Sequence, residues 1–105
     1  MDPEFDELKK EFLAEAQLKI EEIGSLLNGS DGPADRERML YLAHQLKGAG
    51  GSYGFQRIST EAAAIETVLE KIDGEPTDDQ TGELTSRIGN TVEEIRQRLD
   101  ELGGA

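Results

Sequence analysis

Apolar residues recur every three or four positions along most of this chain, which is the spacing of one face of an α-helix. The alternation expected of a β-strand is absent over any useful length. The first apolar stripe comprises Phe5, Leu8, Phe12, Ala16, Ile20, Ile23 and Leu27. In the second segment, a helical projection places Met39, Leu42, Leu46, Ala49, Gly50 and Tyr53 on one side. Two later stripes comprise Phe55, Ile58, Ala62, Ile65, Leu69 and Ile72, and then Leu84, Ile88, Val92, Ile95, Leu99 and Leu102.

Turn-forming residues at 28–33 and 73–79 help to set the limits of four predicted helices. The helices run from about Phe5 to Leu27, from about Ala34 to about Ser52, from about Phe55 to Ile72, and onward from Asp78 or Asp79. Either aspartate can cap the fourth helix. Four amphipathic helices joined by short turns predict an all-α fold, an antiparallel up-down-up-down four-helix bundle. We expect all three phenylalanines in its core.

The composition describes one small domain and excludes several classes of function. The chain has 105 residues, no Cys and one His, which excludes disulfides, thiolate metal sites and His-rich metal sites. Eleven basic residues against 23 acidic ones give a net charge of −12, the opposite of the basic footprint that a nucleic-acid binder needs. The same charge disfavours acidic membrane surfaces. The chain is too polar for membrane insertion and shows no signal peptide, so we expect a cytoplasmic location.

The first residues differ in character from the rest of the chain. Asp2-Pro3-Glu4-Phe5 is the peptide that adjoining BamHI and EcoRI cloning sites encode. We therefore interpret residues 1–5 as a cloning scar and residues 6–105 as the four-helix domain.

The single histidine, His44, lies almost opposite Leu46 around the second helix and should therefore point into water. Lys47 and Gly48 are its neighbours three and four positions further on. An exposed imidazole with a cation beside it suits a reaction that involves phosphate. The alternative is an ordinary surface or core histidine without chemistry.

Three glycines follow this histidine within the same predicted helix. Glycine in an exposed helical turn costs about 1 kcal/mol relative to alanine. Close helix packing explains Gly50, which falls on the core side. Gly48 and Gly51 fall on the outer side, where packing does not explain them. Glycines there would leave room for a large molecule to reach the imidazole. The alternative is that the glycines simply end the helix near residue 48.

The run Ala43-His44-Gln45-Leu46-Lys47-Gly48-Ala49-Gly50-Gly51-Ser52-Tyr53-Gly54-Phe55 resembles the signature of histidine-containing phosphotransfer (HPt) domains. The family pattern is a histidine followed by a lysine, a glycine and a more distant glycine, which here are His44, Lys47, Gly48 and Gly54. The similarity in length and four-helix layout extends over nearly the whole chain.

The resemblance implies a phosphorelay intermediate that has no nucleotide site and is not an enzyme in the usual sense. His44 would accept a phosphoryl group from a receiver aspartyl phosphate, or from a histidine kinase or hybrid kinase. It would pass the group to a response-regulator receiver domain. The domain would need no cofactor or metal of its own, since Mg²⁺ is expected in the partner receiver's site. We expect the domain to act as a monomer.

The resemblance also assigns roles to residues near the histidine. Lys47 would offset charge on the phosphoryl oxygens, and Gly48 would leave room for the receiver. The expected docking residues are Leu40, Tyr41, Gln45 and Gly51.

Glu66 is a further candidate from the resemblance. In the related domains of chemotaxis kinases, a Glu in the next helix hydrogen-bonds the imidazole, and alignment without gaps from His44 places Glu66 there. It would fix the imidazole tautomer; the alternative is a solvated helix charge. Ala63 departs from those kinase domains, which have a second His at that place, so a phosphorelay module is favoured over a chemotaxis kinase fragment. Arg36 and Arg38 either contact an acidic receiver or are ordinary surface charges.

Two other classes of protein are consistent with parts of the sequence. The first is a helical adaptor domain in which His44 has no chemistry. The second is a small hydrolase in which His44 acts as a general base for Ser52. That serine lies eight positions further on, too far for a direct hydrogen bond, and we rank the hydrolase last.

Overall fold

The part of the chain that the structure describes forms four α-helices, as the sequence predicts. A computed structural model describes residues 3–29 and 32–103. Its helices are α1 (Pro3–Gly29), α2 (Pro33–Ser52), α3 (Gln56–Glu70) and α4 (Asp78–Glu101), and no strand occurs among the described residues. Ser30 and Asp31 of the predicted first turn, and Met1 and Asp2 of the predicted scar, lie outside them. Helix α1 already begins at Pro3, within the five residues interpreted as a scar.

Each helix packs against two others, so that the four surround one core. Helix α1 contacts α2 and α4, and α3 contacts the same two helices. The domain is elongated, with extents of 47 × 19 × 19 Å. The buried apolar residues are Phe12, Leu13, Ala16, Ile20, Ile23, Met39, Leu42, Ala43, Leu46, Ile58, Ala62, Ile65, Val68, Leu69, Leu84 and Ile95.

The apolar stripes predict most of this core, with errors at the start of α1. Phe5 and Leu8 are 42% and 46% exposed, so the expectation of a core Phe5 was wrong. Phe5 lies near the start of the 27-residue α1, where its ring stacks on Tyr53 with centroids 6.2 Å apart but remains partly open to solvent. Phe12 is buried, and Phe55 is partly buried against the core.

The turn between α2 and α3 is short and tightly bonded. Gly54 has a φ of +83°, a conformation that favours glycine. The Phe55 N–H donates to the carbonyl of Gly50 at 2.8 Å. The Tyr53 and Phe12 rings stack with centroids 5.1 Å apart, and Phe12 stacks on Phe55 at 5.8 Å. These contacts fix the end of α2 and the start of α3 against α1.

Thr77, rather than Asp78 or Asp79, caps α4. Its hydroxyl oxygen accepts from the Gln80 N–H at 3.1 Å, and the Gln80 side chain accepts from the Thr77 N–H at 2.9 Å. The prediction of an aspartate cap was wrong, because this reciprocal box begins one residue earlier. The two aspartates lie in the first turn instead, where negative charge interacts favourably with the helix dipole.

Helices α3 and α4 also share a buried charged contact that the apolar pattern does not predict. The Glu61 side chain is buried and accepts from Arg87 Nη1 at 3.2 Å and from Asn90 Nδ2 at 3.4 Å. A buried carboxylate without such donors would be strongly destabilising. The pair therefore fixes how α3 faces α4.

None of the described helices combines the length and the apolar character needed to cross a membrane.

Candidate functional site around His44

His44 lies near the middle of α2 and points away from the core. Its side chain is 68% exposed, whereas Leu46, two residues later, is fully buried. The predicted exposure of His44 is therefore confirmed. Helix α2 continues to Ser52, so the glycines after the histidine do not end the helix near residue 48.

Glu66 of α3 lies beside the imidazole and also contacts Lys47. Its Oε2 is 3.0 Å from His44 Nδ1, and its Oε1 accepts from Lys47 Nζ at 3.0 Å. The Glu66 side chain is 16% exposed, much less than either partner. The structure thus brings His44, Lys47 and Glu66 together, and the contact between Glu66 and the imidazole that the resemblance implies is present.

The surroundings of Glu66 keep its carboxylate charged. Burial by itself would raise the pKa of Glu66, but hydrogen bonds from Lys47 and His44 outweigh burial and lower that pKa below its ordinary value of 4.5. A carboxylate at Nδ1 favours the imidazole tautomer that carries its proton there. The lone pair of neutral His44 is then on Nε2, for which the described residues provide no hydrogen bond.

The three glycines after His44 differ in their surroundings. A Cβ at Gly48 would meet nothing within 4 Å, so this position is open to solvent, as predicted. A Cβ at Gly51 would make ordinary contact with Ser59 Oγ at 3.7 Å. A Cβ at Gly50 would lie 3.1 Å from the Ser59 backbone nitrogen and 3.3 Å from Ile58 Cγ2. Close helix packing therefore explains Gly50 but not Gly48.

The four expected docking residues do not share one environment. Tyr41 is exposed, and its hydroxyl accepts from the Gln45 side chain at 2.7 Å. Gly51 is exposed as well, whereas Leu40 is partly buried against the core. Gln45 is partly exposed, so Tyr41 and Gly51 are the most exposed of the four positions.

Both arginines at the start of α2 make contacts within the domain. Arg38 forms two hydrogen bonds with Glu22 of α1, at 2.7 and 3.1 Å, and its guanidinium lies over the Tyr41 ring. Arg36 donates to the carbonyls of Ile72 and Gly74 at 3.3 and 3.4 Å. These contacts give both side chains a structural role within the domain, and contact with an acidic receiver stays a prediction.

Ser59 is a residue of the site that the sequence analysis missed. Its hydroxyl donates to the backbone carbonyl of Lys47 at 2.8 Å, a contact between α3 and α2. Ser59 precedes Glu66 by seven positions and therefore lies on the same face of α3. That spacing is a signal in the sequence, but it becomes informative only once α3 is known to face α2. Ser52, by contrast, donates to the carbonyl of Gly48 within its own helix.

The described residues include no group of three or more His, Asp or Glu side chains placed to hold a metal ion.

Comparison with known proteins agrees with this geometry. The family model of the Hpt domain matches residues 7–105, nearly the whole chain. No curated protein and no solved structure matches the chain significantly. A match of this extent, with an exposed histidine on the second of four helices, identifies the family. The chain belongs to the Hpt domain family, whose members carry phosphoryl groups in phosphorelays.

Proposed function

We propose that this domain accepts a phosphoryl group on His44 from a receiver aspartyl phosphate, or from a histidine kinase, and passes it to a response-regulator receiver domain. One observation carries the proposal. His44 is exposed in the middle of α2, and its Nδ1 is bonded to Glu66. That bond leaves Nε2 as the nucleophile, facing the solvent from which a partner arrives.

The transfer is an in-line displacement at phosphorus. The lone pair of His44 Nε2 forms the new N–P bond while the bond from phosphorus to the donor oxygen breaks, and the donor carboxylate leaves with that electron pair. The positive charge that develops on the ring is shared with the Nδ1 proton, which Glu66 accepts as a hydrogen bond. Onward transfer runs through the same steps in reverse order, with Nε2 as the leaving group.

The other residues of the site support this exchange. Lys47 lies one turn from His44 and offsets charge on the phosphoryl oxygens. The open backbone at Gly48 admits the receiver, and Leu40, Tyr41, Gln45 and Gly51 form the surface on which it docks. The receiver supplies Mg²⁺ and the acidic pocket, and this domain contributes no nucleotide site.

The proposed bundle is antiparallel, with up-down-up-down topology. The pairs that contact each other support this arrangement, because residue numbers rise on one helix as they fall on its neighbour. Ser59 of α3 contacts Gly50 and Gly51 of α2, whereas Glu66, further along α3, contacts the earlier residue His44. We propose that the domain acts as a monomer, since His44 and Glu66 come from the same chain.

A transfer assay tests the function directly. A receiver is first phosphorylated by a small phosphodonor with Mg²⁺ present, and is then mixed with the wild-type domain or with His44→Gln. We expect acid-labile, alkali-stable phosphate on the wild type alone. Receivers that bind the domain in a titration yet never label it would instead indicate an adaptor domain.

A further inference from the structure

Helices α2 and α3 approach each other closely at Gly50. A methyl group there would lie 3.1 Å from the Ser59 backbone nitrogen and 3.4 Å from the Phe55 carbonyl oxygen. These are backbone atoms, which cannot turn away as a flexible side chain can. A methyl group at position 50 therefore requires the start of α3 to move away from α2 by a few tenths of an ångström.

The same contact is reinforced by hydrogen bonds. The Phe55 N–H donates to the Gly50 carbonyl at 2.8 Å, and the Ser59 hydroxyl donates to the Lys47 carbonyl at 2.8 Å. The first bond closes the turn, and the second joins α3 directly to the helix that carries His44. Together they set both the separation of the two helices and their relative position along the bundle.

Glu66 lies on the same face of α3 as Ser59, the residue that packs against Gly50. Seven residues correspond to nearly two helical turns, so Ser59 and Glu66 share a face about 10 Å apart. Ser59 lies beside Gly50, and Glu66 lies beside His44, which precedes Gly50 in α2. A displacement at Gly50 therefore acts on the distance between Glu66 and the imidazole.

We infer that Gly50 is a positioning residue: its missing side chain lets α3 approach α2 closely enough for Glu66 to hold His44 in the tautomer with a free Nε2. This inference builds on the proposed function, since the tautomer matters because Nε2 is the nucleophile. It gives Gly50 a role in the site, although it lies on the core side of α2 and does not touch the imidazole.

The single histidine makes a direct measurement possible. In protein labelled with [15N]histidine, two ring-nitrogen resonances report the tautomer of His44 and nothing else. The spectra are recorded at about pH 8, where an ordinary imidazole is neutral. The variants are Gly50→Ala and, as a matched control in the same helix, Gly48→Ala, whose methyl group meets no neighbour.

We expect wild type and Gly48→Ala to show a protonated Nδ1 and an unprotonated Nε2. In Gly50→Ala, the Nδ1 resonance should move toward that of an unprotonated nitrogen. In a Glu66→Ala background, Gly50→Ala should cause no further shift, because no group at position 66 is left to accept a hydrogen bond from Nδ1. Wild-type ring resonances in a folded Gly50→Ala protein would overturn the inference, and so would an equal shift in the Glu66→Ala background.

A second pair of variants covers the case in which Gly50→Ala does not fold. Ser59→Ala removes the bond to the Lys47 carbonyl, whereas Thr67→Val removes a hydroxyl that bonds only within α3, to Ala63. We expect a shift in the ring resonances for Ser59→Ala alone; identical spectra for both variants would count against the inference. These readouts need no phosphoryl transfer, so failure of the proposed function would be seen separately, as a domain with the predicted tautomer that receivers never label.

Discussion

The carboxylate of Glu66 lies 3.0 Å from Nδ1 of His44, although the two residues are 22 positions apart in the chain. Because Glu66 is much less exposed than the imidazole, it meets the ring from the protein side and leaves the solvent side to a partner. This one contact thus decides which ring nitrogen is available for chemistry.

Replacing His44 with glutamine should abolish labelling and leave the fold intact. The side chain is largely exposed, so its loss removes no core packing, and Glu66 keeps Lys47 as a partner. We expect the free energy of unfolding to change by less than about 1 kcal/mol. Circular dichroism and urea unfolding check the fold, and a large loss of helix content would mean that His44 supports the bundle.

Gly48→Gln should stabilise the domain and slow its reaction with a receiver. Glutamine favours a helix over glycine by about 0.5 kcal/mol, and no neighbour restricts it at this position. Its side chain would occupy the space through which a receiver reaches His44. Gly89→Gln, at an exposed position in α4 with equally open surroundings, is the matched control.

Both glutamine variants should unfold at higher urea concentrations than the wild type. Only Gly48→Gln should slow transfer from a phosphorylated receiver, while labelling by a small phosphodonor should stay close to the wild-type rate. Equal receiver kinetics for the two variants would show that open backbone at position 48 is not needed for access.

The stability of the domain should depend on Glu66 in the acid range. The pKa of Glu66 is lowered in the folded state, because its hydrogen bonds from Lys47 and His44 outweigh the effect of burial. Its contribution to folding is therefore fully present above the ordinary pKa of 4.5, and it is lost as the pH falls through the lowered folded-state value. The experiment compares urea unfolding of wild type and Glu66→Gln from neutral pH to about pH 3.

The difference in unfolding free energy between these two proteins should be constant near neutrality and should shrink below about pH 4.5. All other acidic groups are present in both proteins, so the difference reports Glu66. A difference that stays constant down to acid pH would mean that the hydrogen bonds of Glu66 do not favour its charged form.

Arg87→Met should destabilise the bundle by about 2–3 kcal/mol, because it leaves the buried carboxylate of Glu61 with only the longer bond from Asn90. Arg96→Met, at an exposed position of the same helix, is the control and should change stability by less than about 0.5 kcal/mol. Urea unfolding measures both. Similar small effects would show that Glu61 finds water or another donor when Arg87 is removed.

The apolar spacing predicts the helices well because each helix buries one continuous stripe. The spacing fails where an apolar residue lies at a helix end or where the buried stripe is wider than assigned. Phe5 has the right spacing but lies at the end of the longest helix, and Leu13 and Ala43 are buried at the edges of their stripes. Glu61 follows Ile58 by three positions and precedes Ile65 by four, so its position predicts burial even though its charge argues against it.

The site was predictable in part, because the helical projection needs only α2. It places His44 in water and Gly48 on the open side, which the structure confirms. The contact with Glu66 followed from a family resemblance and not from spacing. The Ser59 bond to the Lys47 carbonyl could not be predicted, because it depends on the distance between two helices that only tertiary packing determines.

The charge of the domain has a consequence for encounters at long range. Lys10, Arg38, Lys47, Arg87 and Arg98 each form an ion pair with a carboxylate of the domain. Because each such pair is close to neutral and the chain has a net charge of −12, the domain acts at long range as an anion. At 0.1 M salt, screening limits the reach of this charge to about 10 Å. Added salt should therefore speed encounters with acidic partners, which the domain repels, and slow encounters with basic partners, which it attracts.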